Sequence, residues 1–423
     1  MKYKTSKYNI IVKETEESTV LYNSYSGGIS EFDLQSYQDL INVNEDSEYF
    51  QEMIKQGFLV PEGLDEFGRI MDTHQKYIFN SMPDKMQFTI APTLKCPLNC
   101  YYCFENTHNG KIMSMETAEK LVEYITNAIS KNINCKQVHI TWFGGEPLLA
   151  VDVIKFIGTK IVEFCESKNI MYTGKMITNG VLFKEEVFDD LIACKLMNSI
   201  QFTLDGNEET FIKTKCGIPG MFEKNLNGIK YASKFIETYV RMNTTSKNQE
   251  ELLEIVESIL NEVDNTHRLV FYAMPVVDYG MDVDNAKNVI NETTIHDFRL
   301  RLVELLKKYD MYKYYVSHDI RTLAAFCGAM RLTNITFGPD GEMYRCENLI
   351  GNDKYVIGNL DQGQFYNEAN YELPLCEIKD KCKECPFLPV CWGGCPVHAN
   401  IYKQEFDCEG FKKNFADKLL NRI

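Results

Sequence analysis

Cys96-Pro-Leu-Asn-Cys100-Tyr-Tyr-Cys103 sets three thiols within eight residues, directly after an apolar, strand-like run. Three thiolates converging from a loop leave one iron of a [4Fe-4S] cluster without a protein ligand, whereas structural zinc usually takes four protein ligands. No fourth Cys adjoins the set, and His108 is the nearest other donor. Eight more of the fifteen cysteines follow residue 326: Cys327, Cys346, Cys376, Cys382, Cys385, Cys391, Cys395 and Cys408. Cys135, Cys165, Cys194 and Cys216 are scattered between and read as core or incidental thiols. With no export signal, this distribution points to metal or redox chemistry rather than a disulfide framework, and the C-x2-C pair leaves zinc open.

Thiols presented in this way need a scaffold. Strand-like runs at 87–93, 137–143, 172–178, 199–204, 238–244 and 268–274 alternate with helical patterns near 115–130, 152–167, 184–194, 221–235 and 249–261. Six strands separated by helices predict parallel pairing with right-handed crossovers, an α/β fold built as a partial (β/α)6 TIM-like barrel. FGGEP, TNGV and LDGNE follow successive strands, where parallel α/β architectures place their ligands. Residues 1–80 read as a small α+β module of a hairpin plus short helices, and 65–85 as a polar, helix-prone bridge. Residues 85–280 form the barrel, 281–326 bridging helices and 327–423 a Cys-rich C-terminal domain.

The CxxxCxxC motif, with Tyr102 before its last Cys and Phe104 after it, resembles that of the radical S-adenosylmethionine enzymes. Gly144-Gly145-Glu146-Pro147, Thr178-Asn179-Gly180, Leu204-Asp205-Gly206 and the pair Arg241 and Asn243 extend the resemblance over about residues 85–280. It implies a [4Fe-4S] cluster on Cys96, Cys100 and Cys103 whose open iron chelates S-adenosylmethionine. It also implies a GGEP backbone that receives the methionine amino group, and further cofactor contacts from Tyr102, Phe104, Thr178, Asn179, Asp205, Arg241 and Asn243. One electron then cleaves the cofactor to a 5'-deoxyadenosyl radical that abstracts hydrogen from substrate. The C-terminal spacing resembles the seven-cysteine SPASM pattern, which carries two auxiliary clusters and brings the total to three [4Fe-4S] clusters. By that resemblance Cys382, Cys385, Cys391 and Cys408 hold the distal cluster, and Cys327, Cys346 and Cys395 the proximal one. Cys376 lies outside the pattern as a possible eighth ligand. Its place six residues before Cys382 associates it with the distal segment, so the proximal cluster is expected to keep an open iron able to bind a substrate thiolate. Glu347 occupies the position where sulfatase-maturing relatives carry an acidic base, with Glu here in place of Asp; a solvated Glu is the plainer reading.

Lys plus Arg total 45 against 60 Asp plus Glu, and the net charge of -15 argues against a partner with a phosphate backbone. The longest apolar run, Leu269 to Val277, falls far short of the roughly 18 residues a membrane span needs, so a soluble, cytoplasmic protein with no membrane partner is expected. HExxH, P-loop, GxSxG and GxGxxG motifs are absent. The resulting expectation is a radical SAM oxidoreductase that modifies a ribosomally made peptide, forming a thioether or other cross-link. Its partners would be a leader-bearing peptide and a reducing donor such as flavodoxin or ferredoxin. The N-terminal module resembles leader-recognition modules, which offer a strand edge for β-augmentation; a purely structural cap is the alternative reading. The rivals are a sulfatase-maturase-like enzyme making formylglycine and, from another class, a non-enzymatic Cys-rich electron carrier or zinc scaffold. The last has no use for GGEP or a six-stranded barrel.

Overall fold

The computed structural model describes residues 1–105, 110–264, 267–279, 283–311 and 322–420. His108 and the parts of the 281–326 bridge at 281–282 and 312–321 lie outside them. The chain divides into two compact units, one of residues 80–315 and 332–374, the other of residues 1–79, 316–331 and 375–423. The Cys-rich 327–423 segment is thus shared between both.

The first unit is built on strands β6 (Lys85–Ile90), β7 (Gln137–Trp142), β8 (Met171–Thr178), β9 (Ser199–Leu204), β10 (Glu237–Thr244) and β11 (Leu269–Pro275). All five neighbouring pairs are parallel and in sequence order, as the alternation of strand and helix patterns requires. Along each strand the side chains alternate between two environments. Phe88, Ile140, Trp142, Met176, Phe202 and Val240 belong to the apolar core. The other face carries His139, Lys175, Gln201, Thr203 and Arg241, so polar chemistry lines the side opposite the helical layer. Helices α4 (Met115–Lys131), α5 (Val151–Ser167), α6 (Glu185–Ala193), α8 (Met221–Ala232) and α9 (Gln249–Glu262) follow the expected pattern. The β9–β10 connection also holds α7 (Glu208–Lys215), which sequence reading missed because EETFIKTK offers too few apolar positions for a helical stripe. The sheet continues past β6. β12 (Ile335–Phe337) pairs parallel to β6, and β13 (Glu342–Tyr344), β14 (Gly358–Asn359) and β15 (Gly363–Gln364) extend it antiparallel.

The second unit joins the two ends of the chain. Strands β2 (Asn9–Glu14), β3 (Ser18–Asn23) and β4 (Ile29–Asp33) form an antiparallel sheet, while β1 (Tyr3–Thr5) pairs with β5 (Leu59–Pro61). Ile10, Val12, Val20 and Tyr22 pack against Phe415 and Leu419 of the C-terminal helix Cys408–Leu420. Helix α3 (Glu66–Phe79) buries Glu66, Ile70, His74 and Ile78, each four residues from the next. Ile70 shares a cluster with Tyr8, Leu388 and Trp392, and the His74 ring stacks on Trp392 at 4.2 Å. The stretch expected to be a polar bridge is therefore a core element. Its apolar strip is narrow, and the surface it packs on comes from residues more than 300 positions later. Among the described residues no helix is long and apolar enough to cross a membrane.

Candidate active site

The polar loops collect at the carboxyl ends of the parallel strands. The three-cysteine loop after β6 runs against the loop after β7, where Gly145 N donates to Thr93 O (3.1 Å) and Glu146 N to Lys95 O (2.9 Å). The two glycines are required by this approach: a Cβ on Gly144 would sit 2.2 Å from Thr93 O, and one on Gly145 2.4 Å from Lys95 O. Pro147 opens the short turn that leads into α5.

Glu146 is fully buried. Its carboxylate accepts from Thr178 Oγ1 (2.8 and 3.0 Å), Asn179 N (2.9 Å) and Leu148 N (3.0 Å). Burial pushes its pKa up to about 7 against the opposing pull of those bonds. Its side chain is therefore spent in clamping the β8 loop to the β7 loop. Asn179 Nδ2 in turn lies 3.4 Å from Cys96 Sγ.

A second network gathers the β9 and β10 loops. Tyr102 donates its hydroxyl to Asp205, and Asn243 Nδ2 contacts Tyr102 Oη (3.1 Å) and Asp205 Oδ1 (3.0 Å). Arg241 Nε donates to Asn243 Oδ1 (3.0 Å). Phe104 stacks parallel to Phe143 and meets Tyr279 edge-on. Tyr279 Oη accepts from Asn348 Nδ2 (3.1 Å), and the preceding residue, Glu347, is exposed. Glu347 also contributes to the field at Lys175, as do Glu237 and Arg241. Hydrogen bonds and ring contacts thus join Cys96, Tyr102, Phe104, Glu146, Thr178, Asn179, Asp205, Arg241 and Asn243 into networks at these loops. Sequence reading gave no role to Phe143 of FGGEP and missed Lys215, Asn225, Asn248, Tyr279 and Asn348, which belong to no recognisable motif. Asn225 Nδ2 holds Asn179 O (2.6 Å), and Asn248 Nδ2 holds Asp205 O (2.7 Å).

The donor chemistry suits a multi-iron cluster. Burial raises the Cys96 thiol to about 11 and Cys103 to about 12, and raises Cys100 as well; Cys96 adds to the shifts of Cys100 and Cys103, and Cys103 to that of Cys100. Thiols grouped in this way are poor free thiolates and good ligands for a compact cationic centre. Among the described residues no three His, Cys, Asp or Glu converge tightly enough for a single ion.

In the second unit Cys382, Cys385, Cys391 and Cys408 form one interacting set: burial and then its neighbours push Cys391 up to about 12, and Cys382 rises for the same reasons. Cys376 is raised to about 11 by burial, and its interacting thiol is Cys395. Cys327 and Cys395 belong to this unit, whereas Cys346 follows β13 in the first. Cys135 and Cys165 are core residues, Cys194 caps α6, and Cys216 is exposed at the end of α7.

Residues 90–259 match the model of the Radical SAM superfamily, a span that holds the three-cysteine loop and strands β7 to β10. The chain is 23% identical over 350 residues to the serine-type anaerobic sulfatase-maturating enzyme of Klebsiella aerogenes, an alignment spanning 77% of this chain and 82% of that one. Native anSMEcpe with bound AdoMet and Cp18Cys peptide superposes with a TM-score of 0.59 at 19% identity, over 80% of this chain and 97% of its own. Streptococcus suis SuiB bound to precursor peptide SuiA gives 0.55 at 15% identity, over 96% and 98%. These similarities establish the fold, a radical SAM sheet with a Cys-rich C-terminal region.

Proposed function

We propose that the protein is a radical SAM enzyme that modifies a peptide, with Cys96, Cys100 and Cys103 holding a [4Fe-4S] cluster. The single observation that carries this reading is the union of the three-cysteine loop with the GGEP, TNG and LDG loops at one end of the parallel strands. When bound, the cluster supplies the electron that splits S-adenosylmethionine to a 5'-deoxyadenosyl radical. The protein's part is orientation: the Gly144-Gly145 backbone and its neighbours offer polar groups to the methionine moiety, and Arg241, Asn243 and Asp205 flank the same space. Two further [4Fe-4S] clusters would be held by the C-terminal cysteines, with Cys376 as a ligand beside Cys395. A flavodoxin or ferredoxin would deliver the reducing equivalents.

The peptide reading rests on the N-terminal module and on the relatives. SuiB is described with its precursor peptide SuiA and anSMEcpe with the Cp18Cys peptide. Here β4 is an outer strand of its sheet, and a groove beside it is lined by Phe32, Asp33, Tyr49, Glu52, Met53 and Phe58. A leader peptide adding to that edge would gain main-chain hydrogen bonds and apolar contacts. A cross-link such as a thioether fits this scheme. The second reading, formylglycine formation, draws on the sulfatase-maturating relative and on Glu347 as a base near the site.

The test is anaerobic reconstitution followed by dithionite and S-adenosylmethionine. 5'-Deoxyadenosine should form, and Cys96→Ala/Cys100→Ala/Cys103→Ala should abolish it together with one cluster's visible absorbance. Undiminished deoxyadenosine from the triple variant overturns the assignment. Mass spectrometry of a co-expressed peptide then separates a cross-link from formylglycine.

A further inference from the structure

Lys215, the last residue of α7, is a lysine with 1% of its surface exposed, and its partner Asp205 is equally hidden at 3.5 Å. Its ammonium donates to Thr203 Oγ1 (2.8 Å) and Thr203 O (3.2 Å), and lies over the Phe211 ring at 5.0 Å. The backbone of the same helix end grips the cysteine loop on both sides of Cys100: Asn99 N donates to Lys215 O (2.9 Å) and Tyr101 N to Thr214 O (3.2 Å). Phe211 and Leu98 form a small apolar cluster against which Cys96 and Cys100 pack. A positive charge is thus sealed away from water beside the loop that would carry the cluster, and in such surroundings charge acts over longer distances than in water.

We propose that Lys215 is a positioning residue that sets the reduction potential of the cluster on Cys96, Cys100 and Cys103, its ammonium favouring the reduced state. This rests on the iron–sulfur reading above and goes beyond it. Reduction adds one electron and no proton, so the centre becomes more negative by one charge and a fixed neighbouring cation lowers the energy of that state. Net charge, hydrogen bonding and burial are the levers by which proteins tune such potentials. Asp205 opposes the effect. Lys215 and Asp205 are opposite charges buried beside the same loop, Asp205 accepting from Tyr102 within it, so removing one or the other should move the potential in opposite directions.

The experiment is an anaerobic redox titration of the full-length reconstituted protein, following the paramagnetic signal that S-adenosylmethionine perturbs. Lys215→Met should lower the midpoint potential and Asp205→Asn should raise it. Should Lys215→Met alone fail to retain its cluster, Lys215→Met/Asp205→Asn compared with Asp205→Asn isolates the same charge without stranding a buried carboxylate, and should again give the lower potential. Unchanged potentials, or shifts of the same sign in both single variants, overturn the proposal and leave Lys215 a structural brace. A wild-type protein that binds no such cluster would instead overturn the functional reading itself.

Discussion

At the scale of the residue, burial and hydrogen bonding decide which atoms of a side chain stay open to a ligand. Glu146 stands within a motif, which marks it for the cofactor, yet its carboxylate is saturated by Thr178, Asn179 and Leu148. Only the backbone beside it is left to meet a ligand. The resemblance assigns the ligand contact to the GGEP backbone; what it does not record is that the Glu146 carboxylate is already engaged within the fold. Lys215 is the converse: nothing in FIKTKCG marks a lysine that folding hides completely. Cys376 shows a third limit. Proximity along the chain suggested the distal set, whereas folding brings its thiol under the influence of Cys395. Cys376→Ala is accordingly expected to reduce the iron bound by the C-terminal region and alter its Mössbauer spectrum, while the Cys96 cluster remains. Full iron content with an unaltered spectrum would restore an open-iron centre and, with it, the main argument for substrate thiolate ligation.

At the scale of the element, the parallel strands were legible because their apolar residues alternate cleanly and Gly, Asn or Asp follows them. The β12–β15 extension was not, since strands of two or three residues leave no periodicity. The polar face of the sheet carries a consequence for pH. His139 on β7 is driven down to about 4, first by burial and then by Lys85 and Lys175. Between that value and the ordinary 6.5 the unfolded chain takes up a proton that the folded one refuses. Its contribution is therefore complete above about pH 6.5 and is lost as pH falls toward 4, by something on the order of 2 kcal/mol once solvent screening is allowed for. Thermal unfolding of wild type and His139→Gln at pH 7.5 and 5.5 checks this. The wild type should lose more in apparent melting temperature on acidification, because Gln keeps a polar partner for Thr173 and does not titrate. Equal losses would mean that other groups control acid stability.

At the scale of the whole molecule, the two units explain why the domain plan read from sequence is linear and the folded one is not. Periodicity reveals elements but not which distant element covers each apolar face, and here Tyr22 packs on Phe415. Deletion of residues 1–79 should for this reason do more than remove a peptide-binding module. The C-terminal helix and Trp392 would lose their packing partners, a change of several kcal/mol at buried aromatic contacts. The truncated protein is expected to lose auxiliary iron and become protease-sensitive after residue 375, while the Cys96 cluster persists. Retention of all iron would show that the C-terminal region folds without the N-terminal one. The same pairing of chain ends has a meaning during synthesis. At about 5–20 residues per second, a ribosome needs roughly 20–80 s to travel from Tyr22 to Phe415. Through that interval the apolar side of β2 and β3 has no native cover, although the strands themselves are complete. The first unit's parallel sheet can assemble meanwhile, but the second must wait for the last helix to emerge. Any iron held by the C-terminal cysteines would therefore enter late in the life of each chain, and the exposed N-terminal sheet is the surface a chaperone would have most reason to hold.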